Sequence, residues 1–150
     1  MIRDAEPLRT LAQEWHAVRR SQGKIQICVT ASFASGAWFL PQIRDEIYAL
    51  LLPLGFSVLE HTLQQMRDEG VFVCRLSNVG SLMKSSAAAV QWANYAAVDL
   101  GRGVRNKLVH EQAVPPHSDT FRILDEIERE LIGWKVLDGP VKYEFTLSVG

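Results

Sequence analysis

The helical repeat in residues 81–111 constrains the fold more than any other feature of the chain. At about 100° per residue, a set of its apolar residues falls within roughly 80° of one line, which is typical of a helix face packed against a core. The apolar set is Val90, Ala93, Ala97, Leu100, Val104 and Leu108. The opposite face is polar and aromatic, with Trp92, Tyr95, Asp99, Gly103, Asn106 and His110. We therefore predict one long helix here, whose second face requires its own explanation.

Two earlier segments also have helical patterns. Residues 4–22 repeat apolar side chains at spacings of three and four, and Asp4 is suited to cap the first turn. Residues 32–70 read as a helix interrupted twice. Pro41 is expected to begin a helix at its first turn, whereas Pro53 lies inside the pattern and should kink it, because proline lacks the amide hydrogen.

A last amphipathic helix is predicted over residues 118–134, after two consecutive prolines end the preceding one. Ser118 or Asp119 is expected to cap it, and His117 is expected to be a loop residue. With the earlier segments, this pattern predicts a mainly α fold, a bundle of four or five helices.

Three stretches alternate or cluster apolar residues as strands do. Residues 25–29 alternate, although a buried helix start fits them as well, and residues 71–76 are apolar and β-branched but read mainly as a connection. The alternation over residues 141–149 is strict and follows the turn signal Asp138-Gly139. We therefore predict that the tail, residues 136–150, contains a short β-strand or hairpin that pairs with one of the other stretches or with a second subunit.

Length and charge limit the classes of protein that fit. The 150 residues suit one domain, residues 1–150, and can bury a core without disulfides or metal. A net charge of −1 gives no general attraction to polyanions, so contact with nucleic acid would depend on a local basic patch. The densest such cluster is formed by Arg102, Arg105 and Lys107.

No cofactor, metal or membrane is predicted. The two cysteines are far apart without CxxC spacing, and the four histidines are scattered, so neither a disulfide framework nor a metal site is indicated. The first residues are charged where a signal peptide would be apolar. The longest strongly apolar run, residues 47–59, is well short of the roughly 20 residues that span a bilayer. A cytoplasmic location is expected.

The most informative segment for chemistry is Arg105-Asn106-Lys107-Leu108-Val109-His110. Within one helix Asn106 and His110 are neighbours, whereas Arg105 and His110 lie about 140° apart and do not meet easily. If the arginine and the histidine act together, a second copy of the helix is expected to complete the site. A homodimer across the polar and aromatic face is therefore predicted, because two exposed aromatic rings are costly on a monomer.

This segment resembles the Arg-x4–6-His motif of the HEPN superfamily. The resemblance covers residues 45–134, because residues 54–61 look like an earlier helix of such domains and residues 118–134 look like the closing helix. Active members are mostly metal-independent ribonucleases, many of them toxins or phage-defence effectors, so the resemblance implies that activity, an RNA substrate and in some cases an antitoxin partner. The β-like tail is not part of the family pattern.

The chemistry assigned by this resemblance is consistent with the residue types. His110 would transfer protons in attack by the 2′-hydroxyl, and Arg105 would hold the scissile phosphate. Asn106 would orient His110 or donate to the phosphate. The basic side chains of Arg102 and Lys107 are candidates for RNA binding. Candidates for supporting the site are Glu60, His61, Asp99 and Tyr95.

Alternatives remain open at this point. Glu60 and His61 either belong to a solvated face or approach His110 and orient its imidazole. The chain as a whole could also be a HEPN-like helical module that binds a partner protein or a nucleotide and cleaves nothing. A helical domain unrelated to the family, with Arg105 and His110 as surface residues, is the third reading.

Overall fold

The computed structural model of the protein describes residues 1–36 and 43–141. Five α-helices of eight residues or more and one of six residues occur in these ranges. In chain order they are α1 (Ala5–Ala34), α2 (Arg44–Ala49), α3 (Leu51–Asp68), α4 (Val79–Ser86), α5 (Tyr95–Glu111) and α6 (His117–Gly133). The described ranges contain no strand, and the prediction of a mainly α fold is confirmed.

The core forms around α3, which packs against α1, α4 and α6. Its inward side chains include Phe56, Leu59 and Leu63, none of which is exposed. Trp15 from α1 and Trp134 after α6 are also fully buried. Burial of such large apolar groups is the main favourable term for this bundle.

The interruption expected at Pro53 takes the form of a break between two helices. Here α2 ends at Ala49, α3 begins at Leu51, and Pro53 lies in the first turn of α3. Proline is tolerated there because first-turn amides have no partner within the helix. The cap predicted at Asp4 is confirmed, since its Oδ1 accepts from the Glu6 amide at 3.2 Å. Pro41 lies outside the described residues.

The strand considered for residues 25–29 is wrong, because this stretch is the second half of α1. The inward positions of the helix continue at spacings of three and four from Val18 through Gln22, Ile25 and Val29 to Ser32. Gln22 is a buried polar residue, and its side-chain oxygen accepts a hydrogen bond from Arg19 at 2.9 Å. Polar residues at such positions hide the helical period from a count of apolar residues.

The other two strand predictions have different outcomes. Residues 71–76 are an irregular connection between α3 and α4, with Val73 90% exposed. Residues 142–149 of the tail lie outside the described ranges. The structure follows the tail to Val141, whose amide donates to Glu128 Oε1 at 3.3 Å. Within the described residues, no helix is both long and apolar enough to cross a membrane.

A buried polar network joins α1 to α6. Arg19 is 4% exposed and donates through Nε to Glu128 Oε2 at 2.8 Å and through a terminal nitrogen to Asp125 at 2.7 Å. Trp15 Nε1 donates to the same Glu128 oxygen at 2.7 Å. Every charge in this network is paired, which is the condition under which buried ions are tolerated.

Gly101 brings α5 and α6 close together, and this contact gives a first prediction. A Cβ at position 101 would lie 2.7 Å from Ile123 Cγ2. We expect Gly101→Ala to lower the free energy of unfolding by about 1–3 kcal/mol, because the clash outweighs the gain in helix propensity. Gly103→Ala is the matched control, since nothing lies within 4 Å of its Cβ position, and it should stabilise. Urea denaturation measures both; a stabilised Gly101→Ala would contradict the close packing.

Candidate functional site

The helix carrying the Arg105 to His110 segment begins later than its repeat predicts. Glu130 of α6 is 1% exposed, and its carboxylate accepts from the amides of Ala93 and Asn94, each at 2.7 Å. Asn94 then caps α5 by accepting from the Ala97 amide at 3.1 Å. The single helix predicted over residues 81–111 is therefore wrong, because a carboxylate from another helix fixes a new start.

The buried side of α5 is also rotated from the prediction. Val98 and Gly101 are the buried residues of this helix, whereas Leu100, predicted to face the core, is 74% exposed. The prediction from the apolar repeat was wrong because it counted only apolar side chains and left out Gly101, which is buried. At Gly101 the absence of a side chain allows the closest approach to α6, so the helix faces its neighbour along that line.

The aromatic residues at the start of α5, Trp92 and Tyr95, are only partly exposed and pack against other rings. The Trp92 ring meets the Tyr95 ring edge-on at 5.1 Å and the Trp134 ring at 4.7 Å. Two exposed aromatics were the reason to place a dimer interface on this face, and that reason is wrong. The exposed side of α5 instead carries Ala96, Leu100, Lys107 and His110.

Arg105 lies toward the buried side of α5. One terminal nitrogen, NH1, donates to Asn106 Oδ1 at 2.8 Å, and the side chain is partly buried. Its Nε is buried and has no hydrogen-bond partner among the described residues. Asn106 thus holds the arginine, and no hydrogen bond joins Asn106 to His110 in the described ranges. Of the two roles predicted for Asn106, orienting His110 is therefore not supported by a hydrogen bond in the described residues.

His110 lies in the last turn of α5 and is exposed. The side chains of His110 and Lys107 make no hydrogen bond or ion pair within residues 1–36 and 43–141. The helix ends two residues later at Gln112, whose φ of 55° is left-handed. The imidazole is therefore open to solvent, on the opposite side of the helix from Arg105.

The neighbouring candidates form a separate cluster. Arg102 binds Asp99 Oδ1 through Nε at 3.0 Å and through NH2 at 2.8 Å. The same guanidinium lies against α4, 3.2 Å from the Cβ position of Gly80. Burial and the Asp99 carboxylate raise the pKa of Tyr95, so its phenol stays protonated near neutral pH. Arg102 is thus already paired, which reduces its availability for RNA.

Glu60 and His61 lie on α3 and point elsewhere. His61 Nδ1 is 3.0 Å from Glu14 Oε2 of α1, and Glu60 Oε1 accepts from Gln64 Nε2 at 3.3 Å. The His61 pair lines an open groove of about 390 Å³ between α1 and α3. Neither side chain forms a hydrogen bond or ion pair with His110 in the described part of the chain.

The sequence analysis missed a carboxylate and histidine pair at the start of α6. His117 is the first residue of this helix, not a loop residue, and neither Ser118 nor Asp119 caps it. Asp45 of α2 does so instead, accepting from the His117 amide at 3.0 Å and lying 2.6 Å from its Nδ1. No local signal connects two residues that far apart in the chain.

This pair predicts a pH dependence of stability. The His117 side chain, and then its backbone amide, hold the pKa of Asp45 below its ordinary value of 3.8. A carboxyl whose folded pKa is lowered stabilises above its unfolded pKa, and that contribution disappears as the pH falls through the folded value. Asp45→Asn should therefore lower the free energy of unfolding by about 0.2–1 kcal/mol near neutral pH, the range for a partly exposed charge pair, with a deficit that shrinks below pH 3.8.

The measurement is urea unfolding at several pH values between neutral and acidic, with the exposed Asp138→Asn as control. A deficit that is independent of pH would show that the stabilisation does not come from the charge of the Asp45 carboxylate.

Neither a metal-ligand cluster in the described residues nor a similar known protein adds information on this site. The described residues contain no group of three or more histidine, cysteine or acidic side chains arranged to hold a metal ion. Comparison with protein-family models, with curated proteins and with solved structures finds no match to this chain.

Proposed function

We propose that the protein is an endoribonuclease that acts without a metal, as a homodimer in the cytoplasm, through Arg105 and His110. The observation that supports this most is the end of α5, where an exposed imidazole follows a guanidinium held by Asn106 at 2.8 Å. Histidine can accept a proton from a 2′-hydroxyl or donate one to a leaving oxygen. Arginine can bind two phosphate oxygens at once and remains charged.

The geometry of α5 favours a site made by two copies. Five residues along a helix correspond to about 7.5 Å of rise and 140° of rotation, so one chain presents Arg105 and His110 to different sides. In a shared site, a second copy packed along α5 would bring its His110 to the partly buried side on which Arg105 of the first copy lies. Leu100, 74% exposed beside the open position of Gly103, is a suitable centre for that contact.

Incubation of the purified protein with total RNA in EDTA tests the proposal. We expect cleavage to persist in the chelator and to leave 2′,3′-cyclic phosphate ends, because the attacking group is the neighbouring 2′-hydroxyl rather than a metal-bound water. Products that require Mg²⁺, or that carry 3′-hydroxyl ends, would contradict it. Biological roles as a toxin or phage-defence effector depend on the same activity.

A non-catalytic module that binds a partner, such as an antitoxin or another protein, is the second candidate. It is favoured by a groove of about 440 Å³ between α5 and α6, lined by Leu100, Val104 and Ile123 and flanked by Arg122 and Glu126. An apolar groove with charged rims suits a protein segment. This candidate would be favoured if the wild type cleaves no RNA and Leu100→Asp abolishes self-association or partner binding.

A further inference from the structure

Two buried polar atoms on α5 and α6 have no hydrogen-bond partner among the described residues. They are Arg105 Nε and Thr120 Oγ1, and Thr120 is not exposed at all. Trp92 Nε1 is also unpaired but lies among the aromatic rings. Buried polar groups in native proteins are almost always hydrogen-bonded, and leaving one unpaired costs about 1–3 kcal/mol.

The packing of the two helices places these atoms at the same level. Gly101 faces Ile123, and the Asn94 amide meets Glu130, so α5 and α6 run antiparallel in a constant register. Moving four residues along α5 from Gly101 reaches Arg105, and four residues back along α6 reaches the residue before Thr120. One helical residue is about 1.5 Å, so the two side chains start at nearly equal heights.

Both side chains also point to the same junction. On α5, Arg105 is about 20° from Val98, which is fully buried, and about 40° from Gly101. On α6, Thr120 lies about 60° from Ile123 and about 40° from Leu124, which contacts α3 at Gly55. Thr120 is therefore directed between α5 and α3, and Arg105 is directed between α6 and the core.

We infer that Thr120 is a positioning residue for Arg105, with Nε–H donating to the threonine hydroxyl after a rotation within the arginine side chain. NH1 is already held by Asn106 at 2.8 Å. The guanidinium would then be fixed at two of its nitrogens, leaving NH2 and the second N–H of NH1 to meet two phosphate oxygens. The role of NH2 rests on the proposed ribonuclease function, whereas the bond between Thr120 and Arg105 does not.

Nitrogen-15 NMR of the arginine Nε–H groups tests the bond directly. Arg105→Lys identifies the Arg105 signal by its loss, and the Arg19 signal, bonded to Glu128 at 2.8 Å, serves as an internal reference. We expect the Arg105 Nε–H of the wild type to exchange slowly with water. Thr120→Val, which keeps the shape but removes the hydroxyl, should accelerate that exchange by at least about tenfold. Thr120→Ser should restore protection, and the Arg19 signal should not change.

Fast exchange in the wild type, or equal protection in Thr120→Val, would overturn the inference. Protection that arises only after addition of inorganic phosphate would overturn it too, because the ligand rather than the hydroxyl would then hold Nε. If RNA is cleaved, Thr120→Val should lower kcat about tenfold with little change in KM, and Thr120→Ser should recover it. If the wild type cleaves no RNA, the proposed function fails and the NMR result still decides the role of Thr120.

Discussion

Replacing His110 with alanine is expected to lower the rate of RNA cleavage by about 10²–10⁴-fold, the range that general acid–base catalysis typically contributes. Because the His110 side chain is exposed and makes no hydrogen bond within the described residues, the change should leave stability nearly intact. Arg105→Ala should remove most activity as well. Arg105→Lys should recover little, since lysine keeps the charge but loses the planar pair of donors.

Matched controls are available on α1. His16→Ala and Arg9→Ala each remove an exposed side chain of the same type from that helix, and both should cleave RNA at the wild-type rate. The Asn106→Ala effect should be smaller than that of Arg105→Ala, because Asn106 holds the guanidinium through one bond of 2.8 Å. Activity that survives both His110→Ala and Arg105→Ala would exclude this segment as the catalytic site.

Mixing the two inactive variants separates a shared site from a single-chain one. In a dimer of Arg105→Ala with His110→Ala, one of the two composite sites keeps both groups, so random mixing should restore up to about a quarter of the wild-type activity. A site within one chain predicts no recovery. Light scattering on the same samples reports whether dimers form; a monomer at tens of micromolar would contradict the shared site.

The largest effect on stability is expected from Arg19→Ala. This change leaves the Glu128 carboxylate, 7% exposed, with Trp15 but without its cation. Breaking a buried ion pair by removing one partner costs about 3–5 kcal/mol, because the remaining charge stays buried and uncompensated. The neighbouring Arg20 is exposed, so Arg20→Ala is the control and should change stability by less than about 0.5 kcal/mol.

Urea denaturation at neutral pH measures both arginine variants. A loss below about 1 kcal/mol for Arg19→Ala would mean that the network is a solvated surface cluster, for which such values are usual. Glu128 also accepts from the Val141 amide at 3.3 Å. Arg19→Ala should therefore also weaken the attachment of the chain at Val141.

The helices that the sequence predicts well are those whose signals are local. The cap at Asp4 and the apolar repeat of residues 118–134 depend on neighbours in the chain, and both are observed. The sequence could not reveal that α1 continues past Gly23, because Gln22 is buried by Arg19 from the previous turn. Side chains that are buried by pairing rather than by apolarity give no hydrophobic signal.

The sequence predicted which segment carries the candidate site, but not the directions in which its side chains point. The sequence identified Arg105, Asn106 and His110, but the direction of each depends on how α5 docks. That docking is set by Glu130 and Ile123 of α6, which bind the start of α5 and contact Gly101. Propensity cannot supply such information, since the run of alanines after Ser86 favours a continuing helix, whereas α4 ends at Ser86.

Shallow burial of α5 has a consequence for its dynamics. Only Val98 and Gly101 are buried in this helix, whereas seven residues are buried in α6, which has the same length. Regions with few buried contacts open at a lower free energy than the rest of a domain. We therefore expect α5 to detach from the bundle in a partial opening that leaves α1, α3 and α6 folded. Glu130 would then release the amides of Ala93 and Asn94 to water, so these two amides should exchange their hydrogens together with those of α5.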